Sequence, residues 1–107
     1  MQKPKVELEF DREMENVYKR AKLEAGYTAS VFHQMLIRNG GLATAKQLIN
    51  EVRESQGYSE LYLRGRLDLT VEAVLVDNPK WHPLFSPDEL EKARKRLVKY
   101  GYSGPQH

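Results

Sequence analysis

Several groups of side chains in this sequence have types and spacings that could do chemistry, and the first surrounds Gly26. A DNA-reading helix-turn-helix needs a scaffold helix, a tight turn with glycine, and a second helix with a polar outer face. Ala21 and Ala25 precede Gly26, and Tyr27, Phe32 and Met35 follow at spacings that would bury all five. Thr28, Ser30, His33, Gln34 and Arg38 are then left on the outer side of the second helix. Glutamine can read adenine, and arginine can reach guanine or phosphate. The first amides of such a helix could also hold a phosphate. Lys22 departs from the pattern, since such units commonly carry a small residue there to let the helices cross closely. Any helical hairpin stopped by glycine has the same appearance, so simple hairpin packing stands as the alternative.

A basic stripe is the second group. Lys92, Lys95, Arg96 and Lys99 fall at steps of three and four, on one helical face, with Arg94 beside them. Together they could neutralise several phosphates. The bland reading is helix stabilisation: Asp88–Lys92 and Glu91–Lys95 are favourable i,i+4 pairs, and acids early with bases late complement the helix dipole.

The run Arg64-Gly65-Arg66-Leu67-Asp68-Leu69-Thr70-Val71-Glu72 is the third. Arg64 and Arg66 flank a glycine before a helix start and could grip a phosphate or carboxylate. Asp68 and Glu72, four apart, could in principle share a face and hold Mg²⁺ in a small nuclease. Without a third ligand or a lysine partner they make a poor centre. The structural alternative has Asp68 cap a helix and pair with an arginine, tying the two halves of the chain together.

Other catalytic arrangements are thin. His33 and His82 are isolated, and His107 lies in the tail. No serine has a nucleophile-elbow setting, and no glycine loop cradles phosphate. The sequence therefore points away from an enzyme, and no metal or cofactor is expected. Trp81 and Phe85 could form an exposed anchor for a protein partner, because such side chains dominate interface hot spots. In so short a link they could equally cover the core.

The elements that must position these residues are all helical by apolar spacing. A first helix over 8–25 carries Phe10, Met14, Val17, Tyr18, Ala21 and Ala25 on one face, stopped by Gly26. Thr28 caps a second helix to residue 39, burying Val31, Phe32, Met35 and Leu36. After Gly40-Gly41, a third helix over 43–54 presents Leu42, Ala45, Leu48, Ile49 and Val52. Ser59 caps a short helix through residue 62. The stretch 67–76 suits a helix capped by Asp68 or, through Val71, Val74 and Val76, a strand. With no second strand to pair with, helix is favoured. Asn78-Pro79 closes it. Ser86-Pro87-Asp88-Glu89 is a capping box with proline at the first helical position, and Leu90, Ala93, Leu97 and Tyr100 form the buried side of the last helix. The expectation is an all-α bundle of five or six helices with room for a helix-turn-helix. It forms one domain over 1–107, with an ordered core over 6–102 and a tail over 103–107 that frays.

Composition limits the choices further. The 107 residues hold 17 basic and 15 acidic side chains, a net charge of +2. Residues 1–30 hold six of each sign, 31–60 three of each, and 61–107 eight basic against six acidic. A dedicated phosphate-neutralising protein usually shows a stronger excess. No cysteine is present, which removes disulfides, thiol nucleophiles and cysteine metal sites and suits a reducing cytosol. No apolar run approaches the ~20 residues of a membrane helix. The start MQKPKVELEF lacks the apolar stretch of a signal peptide. A cytoplasmic address without membrane contact is expected.

The run YKRAKLEAGYTASVFHQMLIRNGGLATAKQLI, then GYSELYLRGRLDLTVEAVLV and PLFSPDELEKARKRLVKYGY, resembles a group of small bacterial helical domains. These occur alone or appended to larger proteins, some nuclease-like. The likeness covers 17–102, with GGLATAK, GRLDLTVE and LFSPDELEKAR as its most specific parts. The group has no assigned activity, so the resemblance implies an autonomous domain and an accessory role beside nucleic-acid enzymes. The leading expectation is a non-enzymatic module that contacts nucleic acid. The alternative is a protein-interaction or self-association module with an apolar surface near Trp81 and Phe85.

Overall fold

In a computed structural model that describes residues 3–104, the first 23 described residues already contain the longest helix. It is α1, Lys5–Ala25, and it buries Phe10, Met14, Val17 and Ala21 at steps of four, three and four. It begins a turn earlier than its apolar pattern predicts. At its end Gly26 adopts φ 68°, which a side chain would strain, and Tyr27 N–H closes back on the Ala21 carbonyl at 3.0 Å.

Next come α2 (Ser30–Asn39) and α3 (Gly41–Asn50), then α4 (Gln56–Leu63), α5 (Val71–Asp77) and α6 (Pro87–Lys99). Two 3₁₀ turns, Leu67–Leu69 and Pro79–Leu84, flank α5. The described residues contain no strand, and the all-α class is as expected.

Several boundaries differ from the sequence reading. Thr28 does not cap α2, whose start at Ser30 has no side-chain cap. Helix α3 ends at Asn50, so Val52 is 98% exposed rather than buried, and Val31 is likewise 68% exposed. Ser55 rather than Ser59 caps α4, its hydroxyl accepting from Tyr58 N–H at 3.1 Å. Thr70 rather than Asp68 caps α5, accepting from Ala73 N–H at 3.1 Å.

Residues Val71 to Leu75 are all buried, because α5 is enclosed on every side. A short helix with no wet face shows no periodicity, which explains why helix and strand looked alike there. Around it, Phe10 meets Trp81 and Phe85 edge-to-face, with ring centroids 5.3 and 5.6 Å apart. Trp81 and Phe85 are 5% and 7% exposed, which corrects their reading as an exposed anchor. The 3₁₀ turn folds them inward to fill the space between α1 and α5.

The capping box of α6 is present in full, with Ser86 and Glu89 bonding each other's backbone. Residue His107 lies outside the described residues. Among those described, no helix is long and apolar enough to cross a membrane.

Candidate functional site

A cavity of about 330 Å³ lies between α1, α2 and α4. Val17, Tyr18 and Ala21 of α1 form its floor, Phe32 and Met35 of α2 one wall, and Leu61 of α4 another. Thr28, Ser30, Val31 and Gln56 at its rim are exposed, so it opens to solvent. Pockets that hold small ligands begin at about this volume and share this character of apolar walls with few polar groups.

Helix α2 is the least embedded wall, burying only Leu36 completely. His33 holds it to α1: the ring stacks on Tyr18 with centroids 4.1 Å apart, and Nε2 lies 3.2 Å from Glu15 Oε2. Thus His33, expected on the outer face, turns towards α1. Ser30, Gln34 and Arg38 do face solvent, but between them lie exposed Val31 and Ile37.

Two buried polar side chains, Glu72 and Tyr58, each 2% exposed, also line the cavity. Glu72 Oε2 accepts from Arg96 Nη1 at 2.8 Å. The same guanidinium donates to the Leu48 and Glu51 carbonyls at 3.2 and 2.7 Å. Tyr58 donates its hydroxyl to the Arg96 carbonyl at 3.2 Å. Burial pushes the Glu72 carboxyl above its ordinary value, and Arg96 opposes that. Burial, reinforced by the Glu72 charge, also raises the Tyr58 phenol.

Of the arginines and lysines offered as phosphate contacts, Arg64, Arg66, Lys92 and Arg96 are each paired with a carboxylate. Arg64 pairs with Glu60 and lies over the Tyr27 ring. Arg66 bridges Asp68 at 3.0 Å and Glu24 of α1 at 2.8 Å, which fastens the 3₁₀ turn to α1. Lys92 reaches Asp88 at 3.5 Å and Asn50 Oδ1 at 3.0 Å. Arg96 leaves the stripe altogether, with a side chain only 10% exposed. Lys95 and Lys99 are exposed, Lys99 lying 5.8 Å from the Tyr100 ring centroid. Glu91 pairs with Arg94 rather than the expected Lys95.

Asp68 and Glu72 do not form the Mg²⁺ pair considered from sequence, because each is committed to a different arginine in a different element. Among the described residues no three carboxylates or histidines gather into a metal-binding group.

The Glu72–Arg96 pair and the cavity were absent from the sequence expectations. Two signals pointed to the pair. Glu72 interrupts the apolar run 71–76, and Arg96 falls three residues after Ala93 on the buried side of α6. The chain matches no protein-family model, and no significant match is found among curated proteins or solved structures.

Proposed function

We propose that this chain is a non-enzymatic binding module that takes an apolar group of a partner protein into the cavity between α1, α2 and α4. One observation carries the reading: the cavity of about 330 Å³ opens to solvent, yet it is walled by apolar side chains, buried Val17, Ala21 and Leu61 with half-buried Phe32 and Met35. Wetting such a recess is unfavourable, and filling it with an apolar group removes that cost. The shallow seating of α2 lets one wall shift to admit a guest. This takes up the protein-interaction class, which was the alternative to nucleic-acid contact from sequence, and moves its surface from Trp81 and Phe85 to the cavity.

Selection of displayed peptides against the wild-type protein and against Met35→Trp tests it. The larger side chain fills the cavity from a half-buried wall position. Peptides that bind the wild type and lose at least about tenfold affinity for a folded Met35→Trp support the reading. Peptides that bind both proteins equally, or no enrichment at all, overturn it.

A nucleic-acid contact is the second reading, favoured by one arrangement at the end of α6. Tyr62, 44% exposed, meets Tyr100 at 5.0 Å between ring centroids, with Lys99 beside them. Aromatic rings next to lysines hold single strands by stacking and phosphate neutralisation. The resemblance to domains beside nuclease-like proteins points the same way. Fluorescence anisotropy with labelled single-stranded DNA and RNA should then show salt-sensitive binding weakened by Tyr62→Ala and Lys99→Ala. No binding even at low salt overturns this second reading.

A further inference from the structure

Ion pairing consumes the cations of this molecule unevenly. Of its 17 arginines and lysines, nine pair with a carboxylate. Among the described residues the other eight make no ion pair, and four of these lie on α1: Lys5, Arg12, Lys19 and Lys22. All four are exposed. They recur at steps of seven, seven and three, which places them on one stripe, away from the face that buries Phe10, Met14, Val17 and Ala21. None of them was expected from sequence as a phosphate contact.

The carboxylates beside this stripe are engaged elsewhere. Glu9 accepts from Lys80 at 2.8 Å, and Glu15 faces His33 at 3.2 Å. Arg12, Asn16 and Lys19, together with Glu13, line a shallow surface recess of about 280 Å³. Side-chain donors from three of those residues thus border one concavity, a layout suited to the oxygens of a phosphate.

The kind of anion follows from the layout. Lys5 and Lys19 stand about 21 Å apart along the helix axis, so a partner must present negative charge over that length. A nucleic-acid duplex does so, with one charge about every 1.7 Å of its axis. Single strands need rings to stack on, and α1 offers none: Phe10 is buried, and Tyr18 is stacked on His33. Leu8 and Leu23, 47% and 83% exposed, lie near the two ends and leave the centre of the stripe polar.

We infer that the outer stripe of α1 docks on the phosphate backbone of duplex DNA through Lys5, Arg12, Lys19 and Lys22. The surface is separate from the cavity and from the single-strand reading at Tyr62 and Tyr100.

Fluorescence anisotropy with a labelled duplex of about 20 base pairs, titrated across a range of salt concentrations, tests it. Wild type is compared with two folded double variants, Arg12→Gln with Lys19→Gln and Lys95→Gln with Lys99→Gln, which remove equal charge. The α1 variant should lose at least about tenfold in affinity at low salt, and its salt slope should fall by about 0.9 for each phosphate contact removed. The α6 variant should stay within about twofold of wild type, since its lysines lie off the stripe. Equal losses in both variants overturn the stripe and leave net charge as the cause. Absence of duplex binding even at low salt overturns the inference, whatever single strands do at Tyr62 and Tyr100. So does binding to vesicles of equimolar phosphatidylcholine and phosphatidylserine without binding to the duplex, which gives the stripe to an anionic lipid surface.

Discussion

Arg96 of α6 donates to Glu72 of α5 at 2.8 Å, and the two side chains are only 10% and 3% exposed. The pair joins the central helix to the last one, and the Arg96 fork also satisfies two carbonyls at and beyond the end of α3.

Removing one partner should therefore be expensive. Arg96→Ala leaves Glu72 charged and buried, a change that typically costs about 3–5 kcal/mol. Glu72→Met combined with Arg96→Met should recover part of the loss, because no unpaired charge remains; the freed carbonyls keep the recovery incomplete. Lys95→Ala and Lys99→Ala, on the same helix but exposed, should stay within about 0.5 kcal/mol of wild type. Urea unfolding of the four variants at neutral pH checks the order.

Glu89 gives the clearest pH dependence. Burial alone would raise its carboxyl, but Lys46, the Ser86 N–H and Asn50 outweigh it and hold the group down to about 2, against 4.5 ordinarily. A carboxyl depressed by folding contributes stability above its unfolded value and loses it as pH falls through the folded one. Glu89→Gln keeps the capping geometry and removes the charge, so it should cost about 1.5–3 kcal/mol at neutral pH. The gap between variant and wild type should narrow as pH falls below about 4.5 and close near about 2. Urea midpoints across that range decide it.

Trp81 is the chain's one tryptophan and packs edge-to-face on Phe10. Trp81→Ala should destabilise the fold by about 3–5 kcal/mol through lost core contacts. In the wild type its fluorescence should be blue-shifted and move to the red on unfolding, on the same curve as the helical circular dichroism signal. An emission already at the solvent-exposed position in the native protein would contradict this burial.

Gly41 sits where α3 crosses α1. Its N–H donates to Asp11 Oδ1 at 2.8 Å, and an added Cβ would lie 2.8 Å from that oxygen and 3.0 Å from the Asp11 Cα. Gly41→Ala must push backbone as well as side chain, so a loss of about 1–3 kcal/mol is expected despite alanine's better helix propensity. Gly57→Ala is a fair control, because the nearest atom to its Cβ would be at an ordinary 3.7 Å.

Helix α2 should open most readily of the six helices. It buries one residue completely, and its attachment to α1 includes a partly exposed His33–Glu15 contact at 3.2 Å. Native-state hydrogen exchange should show α2 amides exchanging faster than those of α5, whose first five residues are all buried. Equal protection would mean that the wall of the cavity is not a separate opening unit.

The fold class was legible because local signals suffice for it. Phe10, Met14, Val17 and Ala21 recur at helical spacing, Gly26 stops α1, and Ser86 to Glu89 spell out a capping box. The candidate site was barely legible. Periodicity places Arg96 at the margin of the buried side of α6, but solvent and interior compete for such a side chain on near-equal terms. Trp81 and Phe85 likewise lie in a link where spacing says nothing about direction.

The sequence by itself determined which segments are helices and where most of them stop, since hydrogen bonds within a turn and the choice of cap depend on residues a few positions apart. Tertiary structure alone decided which cations are free and where a cavity forms. Arg66 finds Glu24 and Arg96 finds Glu72 across 42 and 24 positions of chain. Those pairings, and the gap left between α1, α2 and α4, depend on how helices with individually unremarkable faces pack against one another. No local pattern encodes that packing, because the same amphipathic helix can bury its apolar face against many different neighbours.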